Sequence, residues 1–246
     1  MADRLYKRYE EHKVRRYLII NADDFGASTG VNRGILECHT RGVVTSASLM
    51  VTGRAVAEAV SMSRDHPSLA VGLHWDVWGE EDEHGFDIND LPAVRDEFRR
   101  QVDEFYCLLG RMPTHVDSHR HAHLRGELLS VFRELVEPLG VPLRYDSKVR
   151  CIGSFYAQWQ WMVTNLEYVS VPALQRMLHE EVREEWTEFL CHPGYVSPDF
   201  MSVYLRERET EVRTLTDPRI RHTIEQLDIC LVSYADYLMA IPGVNA

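Results

Sequence analysis

The stretch Tyr17-Leu18-Ile19-Ile20-Asn21-Ala22-Asp23-Asp24-Phe25-Gly26 runs from apolar residues into two adjacent carboxylates, and Phe25-Gly26 then turns the chain away. The apolar part, Tyr17 to Asn21, reads as a strand, with Asp23 and Asp24 just past its C-terminal end. Adjacent carboxylates leaving a strand point in different directions, so one can hold a cation while the other faces a reactant.

Outward from this segment, the same arrangement recurs. Val43 to Val51, Leu69 to His74, Thr114 to Ser118, Val141 to Tyr145, Glu188 to Cys191 and Ile229 to Ser233 also read as strands. Between them lie stretches with helical spacing of apolar residues, such as Val31, Ile35 and Leu36, or Phe98, Val102, Phe105, Leu108 and Leu109. Strand and helix alternate about seven times, which predicts parallel βαβ units in an α/β barrel or a doubly wound sheet. The barrel is favoured, because residues able to do chemistry collect at the C-terminal ends of different strands, where barrels build their active sites.

Those residues are Asp23 and Asp24 after the first strand, His74 after the third, His119 after the fourth, Arg144 closing the fifth and His192 after the sixth. Four of the 12 histidines crowd into one segment, at His115, His119, His121 and His123. Strand alternation places His115, Asp117 and His119 on one face. One Asp and two His make an O, N, N donor set with positions left for water and substrate, as in catalytic rather than structural metal sites. A divalent ion there lowers the pKa of bound water from about 15.7 to near 7 and polarises a carbonyl oxygen, so hydrolysis follows. The spare Asp can then accept a proton, and a His across the pocket can protonate a leaving amine.

Composition narrows the class further. The 246 residues carry a formal net charge of −11, which argues against a nucleic-acid partner, since phosphate binding needs a basic face. Apolar runs fall far short of the roughly 20 residues a membrane span requires. The start, Met1 to Arg16, is densely charged without an apolar stretch of the secretory kind, so a cytoplasmic location is expected. The 5 cysteines are widely spaced with no C-x-x-C pair, so neither a disulfide framework nor a zinc knot is expected. No linker divides the chain: a charged extension over residues 1–16 and a single domain over 17–246 are expected. Two irregular stretches follow strands, the acidic Glu80 to Asp90 and the aromatic Cys151 to Ser170, which carries Phe155, Tyr156, Trp159 and Trp161.

Five segments, in this order, resemble the YdjC-like carbohydrate deacetylases, a family that includes chitooligosaccharide deacetylases and a hopanoid-biosynthesis branch. They are Leu18 to Gly26, Gly42 to Ser46, Gly72-Leu73-His74, Pro113 to His123 and Cys191-His192-Pro193-Gly194-Tyr195. Arg206 to Glu209, Leu215 to Pro218 and Ser233-Tyr234 extend the likeness, so that it covers about Tyr17 to Tyr237. The resemblance implies a distorted seven-stranded (β/α) barrel related to the NodB-type polysaccharide deacetylases. It also implies a metal-dependent hydrolase that removes acetyl groups from N-acetylated amino sugars or chitooligosaccharides.

Carried over by position, Asp24, His74 and His119 would bind a divalent metal, Mg²⁺ or Zn²⁺. Asp23 would be the general base, His192 the acid, and Arg144 would orient Asp23. Asp117, His121, His123, Trp75 and Tyr195 would face substrate or support the ligands, Asp117 as the partner of a ligating His. The chain departs from the family pattern at Trp75-Asp76-Val77-Trp78 and at Arg120, which bears on the sugar accepted. The expected partner is an acetylated amino sugar, and homo-oligomers are compatible with such a barrel. The same donor set suits other ester or amide hydrolysis, and a catalytically silent sugar binder would share the pocket but need neither base nor acid.

Overall fold

The computed structural model describes residues 15–79, 85–183 and 185–241. Of the expected charged extension, only Arg15 and Arg16 fall within this range, and of the acidic stretch Glu80 to Asp90, residues 80–84 fall outside it.

Among the described residues, seven parallel strands form one curled sheet: β1 (Arg16–Phe25), β2 (Ser46–Leu49), β3 (Ala70–Trp75), β4 (Val116–Ser118), β5 (Arg150–Ile152), β6 (Trp186–Cys191) and β7 (Ile229–Val232). The order is β4-β3-β2-β1-β6-β5, with β7 also paired to β1. The long β1 makes this possible. One edge pairs with β6 over residues 17–22, while the other takes β7 over residues 16–19 and β2 over residues 21–25.

Eight α-helices occur among the described residues: α1 (Thr29–Thr40), α2 (Val56–Asp65), α3 (Leu91–Leu109), α4 (Leu128–Val136), α5 (Val171–Glu181), α6 (Arg206–Leu215), α7 (Pro218–Gln226) and α8 (Tyr234–Ala240). Local chemistry sets their ends. Asp90 caps α3 by accepting from the Ala93 N–H, Pro92 sits in its first turn, and Gly110 closes it at φ +68°. A main hydrophobic core runs from Leu18 to Ile229 and includes Ile35, Val71, Phe98, Phe132, Leu174 and Ile220. Among the described residues, no helix is long and apolar enough to cross a membrane.

The fold is thus a curled, parallel half-barrel, and one expected strand is replaced. Residues 141–145 form only a single bridge, Val116 to Leu143, instead of a strand. Pro142 has no N–H to donate, and Tyr145 at φ +61° turns the chain, so pairing cannot propagate. The fifth strand is instead Arg150–Ile152, at the start of the stretch expected to be an aromatic loop.

Candidate active site

A β-bulge builds the first part of the site. The β1–β2 register runs from Ala22 opposite Ala47 to Phe25 opposite Leu49, so β1 carries one residue more than its partner across Asp23-Asp24. Asp24 takes up the excess at φ +67°, a left-handed conformation that non-glycine residues rarely adopt. Neighbours on a regular strand would face opposite sides of the sheet. The bulge lets both carboxylates line the same cavity, each 2% exposed.

His74 Nε2 and His119 Nδ1 each lie 3.3 Å from Asp24 Oδ1. The three residues offer ligand atoms within 4.8 Å of one another. His74 donates from Nδ1 to Asp117 Oδ1 at 2.6 Å, which holds its ring with Nε2 towards Asp24. A carboxylate behind a ring nitrogen is the usual support for a metal-ligating histidine. Burial disfavours a charged His74, but Asp117 and Asp23 outweigh it and raise its pKa well above the usual imidazole range.

Arg144 organises the acidic groups behind this trio. Its guanidinium meets Asp23 through two 2.7 Å hydrogen bonds, Asp117 at 2.6 Å and Glu188 at 2.7 Å, all buried. Burial opposes ionisation of Asp23, yet the Arg144 charge prevails and lowers its pKa; Asp117 lies well below the carboxylate range on the same balance. Ser48 Oγ accepts from Asn21 Nδ2 at 2.8 Å and His115 Nε2 at 3.0 Å, and donates to Asp117 at 2.6 Å. His115, held neutral with a pKa of about 3 by burial, stacks on Tyr234 at 3.9 Å, and a Cβ on Gly72 would collide with its ring. With Asp24 paired to Arg208 at 2.7 Å, four buried carboxyl groups face two guanidinium groups. One oxygen and two nitrogen donors beside this buried acidic cluster fit a divalent cation.

The cavity holds about 910 Å³ and is lined by Asp23, Asp24, His74, His119 and His192. His121 and the aromatic side chains of Tyr156, Trp159 and Trp161 also line it, the two tryptophans 61% and 78% exposed. Burial lowers the pKa of His192, and that of His121 to about 4.

Other expected substrate-facing residues lie elsewhere. Trp75 is 0% exposed and packs edge-on against Phe132 and Phe86, because it follows His74 on a regular strand and so faces the helix layer. Tyr195 donates to Glu37 at 2.6 Å, outside the cavity lining. His123 accepts from Ser118 Oγ and donates to the Arg144 carbonyl, so both ring nitrogens serve the scaffold. Asp117 and Arg144 stand behind the lining residues rather than among them.

Three contributors escaped the sequence reading. Glu188 interrupts an apolar strand, a signal in itself, since a buried mid-strand carboxylate needs a partner. Arg208 and Glu211 lie on α6 and reach the site only through tertiary packing.

A family model described as YdjC-like protein matches residues 17–226. A chitooligosaccharide deacetylase of Serratia marcescens is 29% identical over 265 aligned positions, covering 91% of this chain and 100% of the relative. A solved structure from Enterococcus faecalis, described as a cellobiose-phosphate cleavage protein, superposes with a TM-score of 0.79 at 27% identity, over 91% of this chain and 99% of the other. The polysaccharide deacetylase fold itself is shared with a Bacillus cereus enzyme at a TM-score of 0.57 and 13% identity, over 89% of this chain and 92% of that one.

Proposed function

Because the chain belongs to the YdjC-like protein family, we propose that it is a metal-dependent hydrolase removing the acetyl group from an N-acetylated amino sugar or short chitooligosaccharide. The observation that carries this reading is the placement of Asp23 and His192 on the same cavity as the donor set Asp24, His74 and His119. The likeness to a chitooligosaccharide deacetylase over 91% of the chain supports the substrate class.

Asp24, His74 and His119 would hold the divalent ion, Mg²⁺ or Zn²⁺. Bound there, the ion acidifies water and stabilises negative charge on the acetamide oxygen. Asp23 stays ionised because Arg144 grips both of its oxygens, so it can take a proton from the attacking water. His192 protonates the amine as the C–N bond breaks, leaving acetate and a free amino sugar. Arg144 acts by fixing Asp23, and Asp117 by fixing His74. Trp159 and Trp161 offer aromatic faces to a sugar ring at the cavity mouth.

The test compares wild type with His74→Ala and His119→Ala. Both variants are expected to lose bound metal and acetate release together. Full metal content with full turnover in either variant would remove the assignment.

A further inference from the structure

On α6, three charged side chains reach inward within two turns. Glu207 accepts from Gln158 Nε2 at 2.7 Å and from the Thr164 hydroxyl, tethering the hairpin that carries Trp159 and Trp161. Arg208 pairs with Asp24. Glu211, 0% exposed, accepts from the His192 backbone N–H at 2.5 Å through Oε2 and from the Tyr204 hydroxyl at 2.6 Å through Oε1.

Tyr204 in turn accepts from the Ala157 N–H at 3.1 Å, and its ring stacks on Tyr156 at 4.7 Å. Both rings meet the His192 imidazole edge-on, at 5.9 and 5.6 Å. One buried carboxyl group therefore links the backbone of His192 to the aromatic wall that borders its ring. Burying a carboxyl group is costly, and securing a loop N–H alone would not need one, since a neutral acceptor suffices. Burial pushes the Glu211 pKa up to about 8 despite the hydrogen bonds from Tyr204 and the His192 N–H.

We infer that Glu211 is a positioning residue for His192, fixing its backbone directly and its ring through Tyr204 and Tyr156. The inference rests on the proposed role of His192 as proton donor. An amide at position 211 cannot accept both hydrogen bonds, because its nitrogen only donates.

The test uses Glu211→Gln and Tyr204→Phe, with metal content and thermal unfolding checked in each. In ¹⁵N-histidine-labelled protein, the His192 ring signals are expected to shift and broaden in Glu211→Gln, and less so in Tyr204→Phe, with those of His39 and His66 unmoved. On a substrate the wild type turns over, kcat should fall roughly ten- to a hundredfold at unchanged KM. His192 signals that coincide with wild type in both variants would overturn the inference. The spectra need no substrate, so they decide it even if wild type releases no acetate, a result that would count against the reaction instead. Should Glu211→Gln not fold, the Tyr204→Phe spectrum decides the question by itself.

Discussion

Asp117 accepts a 2.6 Å hydrogen bond from Nδ1 of His74, and Nε2 of the same ring faces Asp24 across 3.3 Å. The carboxylate thus selects which nitrogen is offered to a cation. Replacing it by a side chain with no acceptor, as in Asp117→Ala, removes the preference and should weaken metal affinity by about 10–100-fold. Competition with a chelator measures this, and unchanged affinity would show that His74 is oriented by something else.

Arg144 is the counter-charge for three buried carboxylates. Arg144→Leu leaves them uncompensated and should cost about 3–5 kcal/mol in chemical denaturation. Arg144→Lys should restore little, because an ammonium cannot reproduce the two-pronged contact with Asp23. A Lys variant with wild-type stability would contradict this account of the network.

Asp23→Asn keeps the shape of the site while removing its proton acceptor. Metal content should stay near wild type and turnover should drop by about 10²–10⁴. If turnover were preserved, another residue would have to serve as base.

Trp75 and Trp159 should respond in opposite ways. Trp75→Ala empties a core position between Phe86 and Phe132 and should cost about 3–5 kcal/mol of stability, with KM little altered in the folded fraction. Trp159, 61% exposed at the cavity mouth, should on truncation raise KM while leaving unfolding almost unchanged. Paired denaturation and steady-state measurements separate the two, and the reverse pattern would mean that the cavity has been drawn on the wrong face of β3.

Glu211 carries a pH signature in stability. Its pKa is about 8 when folded, against an ordinary 4.5, so the native state binds more protons than the unfolded chain in between. Its contribution is therefore fully present below about pH 4.5 and is lost as pH rises through about 8. The urea midpoint of wild type should fall between pH 6 and 9 more steeply than that of Glu211→Gln. Parallel slopes would show that Glu211 does not titrate in this range.

Much of the site was legible because polar residues interrupt apolar runs at strand ends: Asp23 and Asp24 after Ile20, His74 after Leu73, His192 after Cys191. The period of the strand also places Trp75, next to His74, on the other face. The bulge at Asp23-Asp24 was hidden, because an extra residue in a ladder depends on the register of the neighbouring strand. Arg208 was equally hidden, as a helix residue 184 positions from its partner Asp24. Residues 141–145 have the apolar content of a strand, but Pro142 lacks the N–H that pairing needs; Arg144 still reaches the site from that segment.

The most direct test of the central claim is acetate release from N-acetylated chitooligosaccharides by purified protein, first stripped with a chelator and then supplied with Mg²⁺, Zn²⁺, Mn²⁺ or Co²⁺. The account predicts no acetate from the stripped protein and one acetate per free amine formed once a suitable ion is restored. Acetate release undiminished by complete metal removal, or folded and metal-loaded protein that leaves every N-acetyl group in place, would contradict it.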